Sequence, residues 1–91
     1  MEPSSYMNTI IKRQELMLYI EGFTTRMSHL ADLAESTKNK KDLFTLASQA
    51  KMERDNAMIE IKNYFRYEKE NNLPADISLR YLYKEFQKTM L

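Results

Sequence analysis

The first third of the chain carries an apolar stripe whose members recur every three or four residues without an intervening proline. The stripe contains Leu16, Ile20, Phe23, Met27, Leu30 and Ala34. This spacing places all six side chains on one face of an α-helix, whereas a strand would need alternation with a period of two. We therefore predict a first helix over about residues 5–35, with Gly22 as the one position where it could bend.

A second stripe with the same spacing follows a polar loop at residues 35–41. The one charged member of this stripe is Arg54. The stripe comprises Leu43, Ala47, Ala50, Arg54, Ala57, Ile61 and Tyr64. Asn39 can cap the start of this helix, and Asn71 and Asn72 ahead of Pro74 are typical of a helix end. The sequence thus predicts a second helix over about residues 40–70.

A shorter stripe near the C-terminus predicts a third helix over about residues 77–90, capped by Asp76 or Ser78. Its members are Leu79, Leu82, Tyr83, Phe86 and Met90. One glycine and two prolines in 91 residues are too few for the turns of a sheet protein. We expect an all-α fold, a single helical domain spanning residues 1–91.

Two long helices joined by a short loop are expected to form an antiparallel hairpin. The register places Met27 beside residues 47–50 and Arg54 beside Glu21 and Gly22. The third helix is half as long, so it covers the hairpin only at the end away from the loop and completes a three-helix bundle there. The uninterrupted apolar run at residues 16–20 would lie at the centre of this core, facing both neighbours.

The end of the hairpin near the loop is then a two-helix structure with apolar side chains that a pair of helices buries poorly. We expect assembly into a homo-oligomer there, with Met27 and Leu30 in the interface. The alternative is a first helix that breaks at Gly22 and folds back to give a compact four-helix monomer.

Charge and composition weigh against several classes of function. The net charge is +1, and basic and acidic residues balance in both halves of the chain, whereas a nucleic-acid binder shows a basic excess. The absence of cysteine excludes a disulfide and a thiolate metal site, and it fits a reducing compartment. We see neither a signal peptide nor a membrane span, so we expect a cytoplasmic protein.

Catalytic groups do not assemble in this sequence. His29 is the one histidine, and Ser28 beside it points to a different part of the helix surface. The acidic residues are dispersed, so no metal cluster is expected. We expect a non-enzymatic protein without metal or cofactor.

Arg54 occupies a stripe position where an apolar side chain is expected, and two interpretations are open. It could extend toward solvent or pair with Glu21, for which Gly22 leaves room. It could instead fix the register or bind an anionic ligand at an oligomer interface.

A cluster of tyrosines and arginines near the C-terminus is the candidate partner-binding site: Arg66, Tyr67, Arg80 and Tyr81. Exposed Tyr beside Arg is typical of protein-binding hot spots and also of single-strand stacking surfaces. Glu68 and Glu70 are interpreted as a solvated, salt-bridged helix face that would repel phosphate.

We therefore predict a small interaction protein that binds a partner protein, self-assembles, or does both. A first alternative is a binder of a small anionic, nucleotide-like ligand held between protomers. A nucleic-acid-associated protein is a second and weaker alternative.

Overall fold

The computed structural model describes the backbone of residues 3–88 and the side chains of residues 6–88, and within that range the fold is all-α. Helix α1 spans Pro3–Ser36, α2 spans Lys40–Glu70 and α3 spans Ile77–Lys88. The three predicted helices are confirmed, and the predicted extension of α3 over residues 89–90 lies outside the described residues. Helix α1 continues through Gly22, so the fold-back monomer is wrong.

Asparagine residues shape both ends of α2, as predicted. The Asn39 side chain accepts a hydrogen bond from the Lys41 amide at 2.8 Å. At the other end Asn72 adopts the left-handed conformation with a φ of 52°, and the Leu73 amide donates to the Glu68 carbonyl at 2.9 Å. This closure satisfies a carbonyl of the last turn and redirects the chain toward α3.

Asp76 is the residue that caps α3. Its Oδ1 accepts a hydrogen bond from the Leu79 amide at 3.2 Å, while Ser78 lies inside the helix. An Asp in this position satisfies an amide without an intrahelical partner and places a negative charge at the positive end of the helix dipole.

The core lies at the end of the hairpin away from the loop and receives side chains from all three helices. Its buried apolar members are Leu16, Ile20, Phe23, Ala57, Ile61, Tyr64 and Leu79. The apolar run at residues 16–20 contributes only part of its circumference to this core. Leu18 remains 66% exposed, so the expectation that the whole run faces neighbouring helices is wrong.

The antiparallel register of α1 and α2 is visible in polar contacts between them. The hydroxyl groups of Thr9 and Tyr67 lie 3.2 Å apart, and Arg26 Nε donates to Glu53 Oε2 at 2.7 Å. Arg54 departs from the predicted pairing with Glu21. The Arg54 side chain turns toward α3 instead, and the group nearest to Gly22 is the Arg26 guanidinium.

Coverage by α3 ends at Phe86, whose ring centroid lies 5.1 Å from that of Phe23 on α1. Beyond this point only two helices of the described part of the chain remain, and we call them the loop half: residues 24–36 of α1 and 40–53 of α2. Four of its large apolar side chains are exposed: Leu33, Leu43, Phe44 and Met52.

Candidate functional site

A groove between α1 and α2 opens where α3 ends, and we call it the distal groove. It has a volume of about 440 Å³ and is lined by Phe23, Thr24, Met27, Ala47, Ala50, Lys51, Arg54 and Phe86. The side chains on its walls are mostly apolar or small. The distal groove is therefore a concave apolar surface of the kind that proteins use for binding.

Small side chains on both helices produce the distal groove. Ala47 and Ala50 follow the α2 stripe, and Thr24 lies opposite them on α1. Nearer the core the same face of α2 carries the larger Ile61 and Phe65, against which α3 packs. Because alanine side chains are small, they leave a trough between α1 and α2 in the loop half. In the other half the larger side chains contact α3.

Arg54 forms the boundary between the distal groove and the C-terminal end of α3. Its side chain is only 12% exposed. Nη2 donates to Asp55 Oδ1 at 2.8 Å, and Nη1 donates to the Phe86 carbonyl at 3.4 Å. That carbonyl belongs to the last turn of α3, where a cation is favoured by the helix dipole. This contact explains why a charge occupies a stripe position.

One donor of Arg54 is not satisfied. Its Nε is buried and has no hydrogen-bond partner among the described residues. Lys51 is exposed one helical turn away on the same wall of the groove, and none of the described lining residues carries a carboxylate. The distal groove is thus an apolar trough whose charged side chains are both cations.

A second groove, which we call the rear groove, lies between the same helices and has a volume of about 520 Å³. Leu30 and the exposed His29 line it, and the ion pair between Arg26 and Glu53 crosses it at 2.7 Å. The structure therefore brings Met27 and Arg54 together in the distal groove, while Leu30 faces the rear groove. The rear groove is thus lined by both an acidic and a basic side chain of an ion pair, whereas the charged side chains that line the distal groove are both cations.

The four residues predicted to bind a partner do not share one surface. Tyr67 is half-buried against α1, where it meets Thr9 and lies 4.9 Å below the Lys12 ammonium. Arg80 donates to Glu68 at 2.9 Å, and its guanidinium lies 4.2 Å from the centre of the Phe65 ring. Two of the predicted residues, Tyr67 and Arg80, are thus engaged in contacts between the helices.

The other two members of that cluster are on the surface. Arg66 is exposed and donates to Asn63 at 2.8 Å, and Tyr81 is 67% exposed. Their role in binding stays a prediction.

Glu68 corrects a second expectation from the sequence. Rather than lying on a solvated face, it is 3% exposed. Its Oε2 accepts the Asp76 amide at 2.9 Å and its Oε1 accepts Arg80 at 2.9 Å. Glu68 follows Ala57, Ile61 and Tyr64 at the spacing of the buried stripe. That spacing could have identified Glu68 as a buried residue despite its charge.

The described residues show no metal site and no membrane-crossing helix. Nowhere in that range do three or more histidine, aspartate or glutamate side chains come together to hold an ion. None of the helices there is both long and apolar enough to cross a bilayer. Comparison of the chain with protein-family models, curated proteins and solved structures gives no match. Function therefore has to follow from the geometry and chemistry of these residues.

Proposed function

We propose that the protein is a small non-enzymatic interaction protein that acts stoichiometrically by binding a partner protein through its loop half. The observation that carries this proposal is the uneven coverage of the hairpin. Helix α3 covers one half, whereas no helix within residues 3–88 lies above the large apolar side chains of the other half, including the 75% exposed Phe44. Exposed apolar side chains also occur on the covered half, among them Leu18 at 66% and Ile77 at 74%, so the proposal rests on the missing coverage of the loop half and not on the number of its exposed side chains.

The total exposed surface supports the same proposal. The chain exposes 7025 Å², whereas the usual relation between mass and area gives about 5,600 Å² for 10.9 kDa. The excess of roughly 1,400 Å² is more than the approximately 800 Å² that each partner contributes to a standard interface. One interface of that size on the loop half would remove more than half of the excess.

Self-association and capture of a small anion are the competing functions. A homo-oligomer would cover the same apolar surface, and the exposed Lys51 beside Arg54 offers a cationic site to a small anion. A cytoplasmic location belongs to the proposal as well, because a chain without cysteine suits a reducing compartment.

The test compares two exposed aromatic residues, one on each half of the molecule. Tagged wild type, Phe44→Ser and Tyr81→Ser are used to capture protein from lysate of the native host, and the captured protein is then purified and mixed with each variant. We expect a complex of defined stoichiometry with wild type and Tyr81→Ser, and at least tenfold weaker binding with Phe44→Ser. Both variants should keep the wild-type helix content, because each changes an exposed side chain.

Two results would contradict the proposal. Equal binding by all three proteins would place the partner elsewhere on the surface. A purified protein that scatters light as a stable dimer, loses the dimer in Phe44→Ser and captures no partner would show that self-association is its function.

A further inference from the structure

We infer that the distal groove binds an amphipathic α-helix of the partner protein, with an acidic residue of that helix directed toward Lys51 and Arg54. This inference rests on the proposed function and names the chemistry of the partner. It is carried by three features of the groove: its position along the hairpin, its small side chains and its charge.

The position of the groove favours a helix as the occupant. Helix α3 packs along α1 and α2 over the covered half, and the distal groove begins at its last turn, where Phe86 and Phe23 are in contact. The groove therefore extends into the loop half a surface that already accepts one helix. The part of α1 beyond Phe23 contains 13 residues up to Ser36, or roughly 20 Å of helix. A partner helix of similar length can lie on it, as in other helix-in-groove complexes.

The small side chains allow such a helix to approach closely. Ala47, Ala50 and Thr24 form walls that do not project far into the groove, while Met27 offers a flexible apolar side chain. Methionine adapts its shape to different partners. A row of Leu-sized side chains on the incoming helix would fill the trough between these walls.

The charge of the groove specifies the polar residue of the partner. Lys51 and Arg54 are both cations, and the carboxylate that pairs with Arg54 belongs to Asp55, outside the groove lining. The Lys51 ammonium is exposed and can meet a carboxylate on an incoming helix directly. That carboxylate would also lie in the field of the Arg54 guanidinium, which is 12% exposed.

The same charges argue against a second copy of this chain in the groove. A two-fold contact places the same patch on both subunits, so two distal grooves would bring Lys51 and Arg54 toward their own counterparts. Because no carboxylate of residues 6–88 lines the groove, that arrangement would oppose like charges. A partner of different sequence with an acidic helix meets no such repulsion.

The test uses a displayed library of 14-residue helices with leucine fixed along one face and all other positions randomised. The library is selected for binding to the full chain, to Lys51→Glu and to Ala47→Phe. With wild type we expect Asp and Glu to be enriched at least threefold at a position beside the leucine row. With Lys51→Glu the preference at that position should shift to Lys and Arg. Helices selected on wild type should bind Ala47→Phe at least tenfold more weakly, because the phenylalanine fills the groove.

Failure of this inference can be distinguished from failure of the proposed function. If no helix is enriched, or if the enriched helices show no acidic preference or bind Ala47→Phe unchanged, the inference is overturned. Capture of a partner that depends on Phe44 would then still support the proposed function. If Lys51→Glu selects the same residues as wild type, the assignment of the acidic contact is wrong. Circular dichroism on both variants controls for their folding.

Discussion

Glu68, near the end of α2, holds the start of α3 against the core of the hairpin. Its carboxylate accepts the backbone amide of Asp76 and the guanidinium of Arg80, so it fixes both the start and the first turn of α3. Asp76 in turn pairs with Arg13 on α1 at 2.8 Å. A chain of charged groups thus connects all three helices at the covered end. Because Glu68 is buried, its loss would leave its partners without an equivalent acceptor.

Replacing Glu68 by alanine should therefore destabilise the protein by about 2–3 kcal/mol, as expected when one partner of a buried ion pair is removed. Glu70 is the matched control, since it lies on the same helix and is exposed. Glu70→Ala should change the free energy of unfolding by less than about 0.5 kcal/mol. Urea denaturation of both variants provides the measurement. Equal effects would mean that the Glu68 contacts contribute no net stability.

The pair between Asp76 and Arg13 predicts how stability depends on pH. Burial acts to raise the pKa of Asp76, but the hydrogen bond and charge of Arg13, together with the Leu79 and Ser78 amides, outweigh it. The pKa of Asp76 is consequently lowered from its ordinary value of 3.8. The folded state then binds fewer protons than the unfolded state. The stabilisation is present above pH 3.8 and is lost as the pH falls through the lower, folded-state pKa.

Asp76→Asn isolates this contribution, because asparagine also caps helices but does not titrate. At neutral pH the variant should be less stable than wild type by roughly 1 kcal/mol. The difference should shrink as both proteins are unfolded by urea at successively lower pH below 3.8. A difference that stays constant down to pH 2 would show that the Asp76 charge does not stabilise the fold.

The boundaries of the helices could be predicted from the sequence, because they depend on contacts between residues that are close together in the chain. Asn39 and Asp76 cap helices because their side chains accept nearby amides, and Asn72 closes α2 because asparagine tolerates a positive φ. The partner of each charged side chain could not be predicted in this way. Arg54 extends to the end of α3 rather than to Glu21, since its partner depends on how the third helix packs.

The continuity of α1 through its glycine also permits a test. Gly22 has no positive φ, so the site does not require glycine. Gly22→Ala should stabilise the protein by about 0.5–1 kcal/mol, since alanine restricts the unfolded chain and favours the helix. The melting temperature should rise by roughly 2–8 °C. Thermal denaturation followed by circular dichroism measures this change.

The result depends on one neighbour. A Cβ at position 22 would lie 3.1 Å from Arg26 Nη1, the far end of a flexible and partly exposed side chain. The gain should therefore be at least as large when Gly22→Ala is introduced beside Arg26→Ala. A loss of stability that disappears in the Arg26→Ala background would mean that the guanidinium cannot move away from Glu53.

At the scale of the whole molecule, the shape is elongated. The principal extents are 56 × 21 × 16 Å and the radius of gyration is 16.2 Å, against about 12 Å for a compact domain of this length. The pattern of stripes predicted a hairpin covered only in part, because the third stripe is short. The candidate groove was not predicted as a surface, since it depends on which alanines of α2 face the same side as the end of α3.

Uneven coverage should produce uneven protection of the backbone. We expect amides at residues 45–50 to exchange with solvent at least tenfold faster than those at residues 57–64, a difference of about 1.4 kcal/mol in local stability. No third helix of the described range covers the first segment, whereas the second contains Ala57, Ile61 and Tyr64 of the core. Native-state hydrogen exchange by NMR provides the measurement, and uniform protection along α2 would contradict it.

The contact between Phe86 and Phe23 has a consequence for the length of whatever lies in the distal groove. Phe23 and Phe86 close the end of the trough that faces α3, and the rest of its lining, Ala47 included, extends toward the loop. A helix that lies in this trough is blocked at the Phe86 end but can extend past Ala47 toward the loop. Lengthening a bound helix at the Phe86 end should therefore create a steric clash, whereas lengthening it at the loop end should leave its binding unchanged.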